Sequence, residues 1–217
     1  MPTLSKTALR TIIGGFLVLS LAAGILITWR AGWGSARVNQ NGSLAAWQPI
    51  SGRWTERADV LSNSNYGRGD MLIARHGQGT NYRISADLRF DLLFSDTQYG
   101  DAGLVIRATD PEQGVDSYQG YYAGLRPAEQ TVVLGRASYD WHQLEAIKLA
   151  TPVSAGTWYN LDISAQGCKI TVTATPDGGR LATRIEHQDP QCLTEGAPGL
   201  RSFYAQASWR NIKITQN

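Results

Sequence analysis

The chain has 217 residues, enough for one domain with a genuine core and a short additional segment. Its formal net charge is +2, but Lys6, Arg10, Arg30 and Arg37 all precede the first acidic residue, Glu56. The part beyond Val38 is therefore slightly acidic, and it shows no basic patch of the kind a nucleic-acid-binding domain needs, which excludes that class. Two cysteines, Cys168 and Cys192, are too few for a disulfide-stapled scaffold. They form one bridge in a compartment outside the cytoplasm or remain two buried thiols, and spacing alone leaves both open.

In chain order, residues 1–10 form a short tail with Lys6 and Arg10, expected on the cytoplasmic side. Residues 11–29 are predicted as a single-pass transmembrane helix: from Thr11 to Thr28 there is no charge, and eighteen residues at helical rise span about 27 Å, close to the hydrocarbon thickness of a bilayer. Trp29 and Trp33 fall where aromatic side chains anchor a helix at the membrane surface. Gly14, Gly15 and Gly24 permit close approach of a neighbouring membrane helix. A cleavable signal peptide is the rival reading; the apolar run is long for one, and no small-x-small site falls at its end. Residues 30–45, rich in Gly, Ser and Asn, suit a juxtamembrane linker.

From residue 46 to 217 the pattern changes to period two. Tyr82 to Phe90 alternates apolar and polar at every position, the mark of a half-buried strand. Ala102–Ala108, Tyr159–Ala165 and Ile170–Ala174 repeat the alternation. Further strands are predicted at Met71–Arg75, Ser117–Leu125, Thr131–Ala137, Leu181–Glu186, Leu200–Ala205 and Ser208–Thr215. Turn signals separate them at Asp110-Pro111, Ala155-Gly156, Asp177-Gly178-Gly179 and Ala197-Pro198-Gly199. Many short strands without helical periodicity predict an all-β antiparallel sandwich or barrel.

Particular stretches then point to a family. Asp101–Asp110, Ser117–Leu125 and Val133–Arg136 resemble the central strands of concanavalin A-like (laminin G-like) sandwiches. Gly156-Thr-Trp-Tyr-Asn-Leu161, with the strand at Ile170, resembles their usual hairpin. The ending from Gly199 to Ile214 is similar to that of bacterial 3-keto-disaccharide hydrolase-like domains. The resemblance covers about Trp47 to Thr215 and implies an all-β antiparallel two-sheet jelly-roll sandwich; it implies function weakly, because this sandwich serves enzymes, lectins and interaction modules. In such a sandwich Trp158 and Trp209 are expected to be core aromatics, and Gly199 to sit in a tight turn.

A catalytic reading finds little support. The Glu-x-Asp-x-x-Glu strand motif that retaining glycosidases of this fold share is missing. Asp87 and Asp91 flank Arg89 on a polar strand face, as in a salt-bridged sheet surface. Asp110, Glu112 and Asp116 read as a turn, with a calcium site the weaker alternative. His76, His142 and His187 lack metal-ligand spacing, and no nucleophile elbow, P-loop or dinucleotide fingerprint is present. No catalytic residue, metal or cofactor is therefore predicted. The suggestive feature is aromatic: Tyr118, Tyr121 and Tyr122, with Tyr139, Trp141 and His142 on the next hairpin, form a candidate surface for a partner protein or a glycan.

Three functions follow. The first is a non-catalytic accessory subunit at the cell membrane, its sandwich periplasmic or extracellular and docked on other integral membrane subunits, for instance of a respiratory or photosynthetic complex. The second is a membrane-tethered carbohydrate-binding module stacking sugars on Tyr121, Tyr122 and Trp141. The third is a glycoside-processing enzyme whose acid pair comes from different strands, among Asp101, Asp116 and Asp140.

Overall fold

A computed structural model describes residues 43–77, 79–93 and 99–216. The expected membrane helix, its glycines Gly14, Gly15 and Gly24, and the interfacial Trp29 and Trp33 lie outside the described residues. Among those described, no helix is long and apolar enough to cross a membrane.

After a 3-10 turn at Leu44–Ala46, the chain forms β1 (Trp47–Ser51), β2 (Trp54–Arg57), β3 (Val60–Asn63), β4 (Arg68–Ala74), β5 (Tyr82–Leu93), β6 (Asp101–Thr109) and β7 (Gln119–Arg126). It continues through β8 (Thr131–Ser138), β9 (Trp141–Lys148), β10 (Trp158–Gln166), β11 (Lys169–Pro176), β12 (Thr183–Gln188), β13 (Ala197–Phe203) and β14 (Ala205–Gln216). These make two seven-stranded sheets, ordered β1-β4-β13-β6-β7-β8-β9 and β12-β11-β10-β5-β14-β3-β2. The all-β antiparallel sandwich is thus what the chain forms. Its last two strands are inserted centrally, β13 between β4 and β6 and β14 between β5 and β3.

The two sheets bury their faces differently, and this difference builds the site. In β5 burial alternates, with Tyr82, Ile84, Ala86, Leu88 and Phe90 inward and Arg83, Asp87, Arg89 and Asp91 toward solvent. The outward face is ion-paired, Arg89 to Asp91 at 2.6 Å and Arg210 to Asp87 at 3.3 Å. In β6, β7 and β8 burial is nearly continuous, because the first sheet is covered on both sides. Its inner side contributes Leu72, Leu104, Tyr121 and Leu134 to the main core, facing Ile84, Leu88, Leu161 and Trp209. Its outer side carries a second apolar cluster that includes Met71, Ile73, Val105, Tyr118, Tyr122 and Val133, with Trp141 packed against it.

Four expectations need correction. Gly199 lies inside β13, not in a turn; a Cβ there would sit 2.7 Å from the Leu72 carbonyl oxygen, so the close strand approach requires glycine. Pro198, beside it, falls at a register shift between β13 and β6, where a missing N–H costs no ladder bond. Trp158 is not a core residue: it is half-buried on the outer face of the second sheet, with the Arg89 and Arg210 guanidinium carbons 4.6 and 4.2 Å from its ring centroid. The stretch Trp141–Lys148 is a full edge strand that no alternation announced, since most of its side chains are exposed.

Cys168 and Cys192 are joined in a disulfide, with their Cα atoms 5.3 Å apart. Close by, Arg107 takes a left-handed φ of 53° where β6 shifts register against β7. Its buried guanidinium donates to the carbonyl oxygens of Thr80, Gly167 and Leu193, and its backbone N–H donates to the Tyr82 hydroxyl at 2.6 Å. One side chain thus satisfies three loop carbonyls at the end of the sandwich where the disulfide sits.

Candidate functional site

The strand register sets out the floor of the site on the outer face of the first sheet. Arg201, Gly103, Gly124 and Val133 lie side by side across β13, β6, β7 and β8, and the adjacent row runs Gly199, Val105, Tyr122, Gly135. The glycines leave a trough in which aromatic rings lie. A Cβ on Gly124 would run into the Tyr122 ring, and one on Gly135 into the Trp141 indole. Tyr122 and Trp141 then meet edge-on, with centroids 6.0 Å apart at 70°.

At the bottom of this trough is a buried ion cluster. Arg201, its side chain only 4% exposed, donates from one terminal nitrogen to Asp101 Oδ1 at 3.2 Å and from the other to Asp116 Oδ1 at 2.8 Å. The Tyr122 hydroxyl donates to the same Asp101 oxygen at 2.6 Å. Arg126 approaches the other Asp101 oxygen at 3.9 Å and donates to Gln143 Oε1 at 2.9 Å. Burial alone would lower the Arg201 pKa, but Asp101 foremost and the other groups around it raise it, so the guanidinium stays charged. Burial raises the Asp116 carboxyl above the ordinary aspartate value even with Arg201 opposing. Burial, with the Asp101 charge added, holds the Tyr122 hydroxyl well above the usual tyrosine range, so it donates at any working pH.

Above the cluster opens a cavity of about 280 Å³, lined also by Trp141, Arg126, Tyr99, Phe203, Val115 and Glu129. Five charged groups line it, Arg126 and Arg201 against Asp101, Asp116 and Glu129, so the lining is close to neutral while offering many donors and acceptors. Among the described residues no cluster of three or more His, Cys, Asp or Glu side chains is arranged to hold a metal ion.

The aromatic residues singled out from the sequence divide by strand face. Tyr122 and Trp141 line the cavity. Tyr118 is fully buried in the outer apolar cluster, not on a recognition surface. Tyr121 points the other way, into the main core; its hydroxyl donates to Asp189 at 2.6 Å, and burial pushes its pKa up to about 12. These two were expected in an exposed patch, an expectation that assumed a solvated outer face where β6, β7 and β8 are buried on both faces. Tyr139 is half-exposed at the β8–β9 turn, and His142 is exposed one position beyond Trp141. Of the three aspartates considered for an acid pair, Asp101 and Asp116 meet on Arg201, whereas Asp140 accepts the Trp141 backbone N–H at 2.8 Å. Arg201, Arg126, Glu129, Tyr99 and Phe203 were not singled out at all. The one signal for Arg201 was a lone charge in the otherwise uncharged run from Ala197 to Ala207.

Fold and site together define a concanavalin A-like sandwich with a polar, aromatic-walled pocket on the outer face of one sheet. Within that class, the chain belongs to the family of 3-keto-alpha-glucoside-1,2-lyase-like domains, whose model matches residues 35–215. No curated protein sequence matches it. Among solved structures it is similar to the carbohydrate-binding module CBM66 from Bacillus subtilis, at 19% identity over 79% of this chain and 96% of that one, with a TM-score of 0.64. It is also similar to a Bacillus subtilis protein with a galectin-like fold, at 16% identity over 84% and 96% of the two chains and a TM-score of 0.63. The exoplasmic/lumenal domain of VIP36 bound to Ca2+ and Man2 follows at 12% identity, covering 79% of this chain and 81% of that one, with a TM-score of 0.61. At these identities the likeness is one of fold.

Proposed function

We propose that the domain is a carbohydrate-binding module and that the pocket over Arg201 holds a neutral sugar. The observation that carries this reading is the buried Arg201–Asp101–Asp116 cluster at the base of a cavity with aromatic walls. A sugar ring presents an apolar face and a rim of hydroxyl groups, each both donor and acceptor. Carboxylates and guanidinium groups fixed by one another bind such hydroxyls without reorganising, and an indole covers the apolar face. CBM66 by its name, and VIP36 by its bound mannoside, are carbohydrate binders of the same fold. Tethering to a membrane through residues 11–29 would display the pocket at a cell surface, and it is compatible with this reading. Docking on a larger membrane assembly has no comparable observation behind it among the described residues.

The test is a neutral-glycan binding screen followed by Trp141→Ala and Arg126→Gln, both in the cavity wall and neither part of the main core. Each variant is expected to weaken binding of the best glycan about tenfold or more while leaving a folded domain. Unchanged affinity in both, or no bound glycan in the screen, sinks the proposal.

A second reading has its own observation. A lyase acting on a 3-keto-alpha-glucoside, as the family description has it, needs a base for a proton next to a ketone. Asp116 is a cavity carboxyl whose pKa is raised, the usual mark of such a group. Turnover of a 3-keto glucoside, lost in Asp116→Asn with glycan binding retained, would favour the enzyme over the pure binder.

A further inference from the structure

Arg201 divides its terminal nitrogens between two carboxylates that are held very differently. Asp101 belongs to β6, paired with Phe203 of β13, so the strand register places it. Its carboxylate also accepts the Tyr122 hydroxyl at 2.6 Å and has the Arg126 guanidinium at 3.9 Å. Asp116 belongs to no strand; it comes from the connection between β6 and β7. Among the described residues its carboxylate has one hydrogen-bond donor, Arg201, at 2.8 Å. The pair is buried all the same, with the Arg201 and Asp116 side chains 4% and 11% exposed.

A local turn brings Asp116 to this spot. Its φ is 53°, a left-handed value that aspartate, asparagine and glycine tolerate best. Its carbonyl oxygen accepts the Tyr118 N–H at 2.9 Å, and the Glu112 N–H donates to the Ser117 carbonyl oxygen at 2.8 Å, so the connection is folded on itself. Burial, with Asp101 and Asp140 adding to it, raises the Asp116 pKa against the pull of Arg201 and Arg126. Its charge is therefore sustained by those guanidinium groups and opposed by the rest of its surroundings. Arg201 itself does not depend on Asp116 for its place. Asp101 holds it from the sheet, and its guanidinium carbon lies 4.7 Å from the centroid of the Tyr122 ring.

A carboxylate is the group that a guanidinium fork matches best. Arg201 and Asp116 both line the cavity, so an acidic ligand that reached Arg201 would meet a carboxylate already in the place its own would take. We infer that Asp116 is an internal anionic ligand of Arg201, and that this residue sets the pocket's preference for neutral over acidic sugars. Specificity is then achieved by repulsion and prior occupation, with no contact to the favoured sugar required. Asp101 does not play this part, because its strand position and its other donors fix it independently of Arg201. The selectivity rests on the pocket being a sugar site; the occupied anion position rests on the geometry around Arg201 alone.

The experiment compares the full chain as wild type, Asp116→Gly and Asp116→Asn, two changes that suit a left-handed backbone. Glycine vacates the position of the carboxylate, and asparagine fills it without charge. The first readout is the thermal midpoint in sodium acetate against sodium chloride of equal ionic strength at neutral pH. Acetate is expected to raise the Asp116→Gly midpoint by about 3 °C or more and to leave wild type and Asp116→Asn unchanged. The second is the ratio of affinities for a uronate and its parent sugar, glucuronate with glucose and mannuronate with mannose. That ratio is expected to rise about tenfold or more in Asp116→Gly and about threefold in Asp116→Asn. If folded Asp116→Gly shows no acetate effect and an unchanged ratio, the inference is wrong, while neutral-sugar binding by wild type keeps the sugar site. An acetate effect with an unchanged ratio overturns the selectivity. If acetate acts but none of the three proteins binds any sugar, the sugar reading falls and Asp116 remains the internal ligand of Arg201. Should Asp116→Gly not fold, the Asp116→Asn ratio decides, and no rise there overturns the inference.

Discussion

Tyr118 and Tyr122 sit within the same apolar cluster on the outer sheet face, yet their hydroxyls have opposite situations. The Tyr122 hydroxyl donates to Asp101 at 2.6 Å, whereas the Tyr118 hydroxyl is buried without a hydrogen-bond partner among the described residues. An unpaired buried hydroxyl costs its desolvation, about 1–3 kcal/mol, and phenylalanine fills the same volume without that cost. Tyr118→Phe is therefore expected to stabilise the domain by about 1 kcal/mol, seen as a raised urea midpoint at unchanged slope. Tyr122→Phe is expected to destabilise it by a similar amount, because Asp101 loses one of its donors. A loss of stability in Tyr118→Phe would show that its hydroxyl is paired after all. The contrast marks how far single residues were legible. The sequence marks both tyrosines as notable, but whether a ring points to the core, the pocket or neither depends on which strand face is covered, and the covering segment is an irregular connection without periodicity. Arg201 escaped notice for the same reason: in an isolated strand an arginine at that position belongs to a solvated face. It is buried among Asp101, Tyr122 and Phe203 on the sheet and Asp116 from the β6–β7 connection.

Strands with one solvated face, such as β5, were readable from alternation alone, and β10 and β11 likewise. β6 to β8 were found as strands, although the side each residue faces carried no signal when both sides are buried. β9 was missed because an exposed edge strand needs no apolar repeat. At the far end of the sandwich, the β10–β11 turn and the segment following β12 are fastened by the Cys168–Cys192 bridge, 24 residues apart in sequence, and by Arg107 reaching the carbonyl oxygens of Gly167 and Leu193. Closing a loop of that length restricts the unfolded chain by about 3 kcal/mol in the chain-entropy account. None of these residues lines the cavity over Arg201. Reduction, or the double change Cys168→Ala and Cys192→Ala, should thus lower unfolding free energy by about 3 kcal/mol while leaving sugar affinity within about twofold. Denaturant melts with and without reductant, alongside binding titrations of the folded protein, check both halves. A parallel loss of affinity would mean that the two ends of the sandwich are coupled.

Charge decides what kind of ligand the whole molecule can accept. The chain carries a formal charge of only +2, and all of the surplus of basic residues lies ahead of Val38. The cavity itself balances two guanidinium groups against three carboxylates, and the deepest of these are already paired with one another. A polyanionic ligand would have to displace Asp101 or Asp116 from Arg201, which leaves a buried carboxylate unpaired at a cost of about 3–5 kcal/mol. A neutral polyol accepts and donates at the rim without breaking the cluster. Binding that does not rely on net charge is insensitive to screening, since the Debye length shrinks from about 30 Å at 0.01 M to 3 Å at 1 M salt without removing any short-range hydrogen bond. Affinity for a neutral glycan should accordingly vary by less than about twofold between low and high salt, and a uronic-acid analogue of the same glycan should bind at least tenfold more weakly. Isothermal titrations across that salt range, with the neutral and acidic sugars side by side, supply the comparison. Steep salt dependence with preference for the acidic sugar would place the ligand against Arg126 and Arg201 as free cations, and the paired cluster would then have to open on binding.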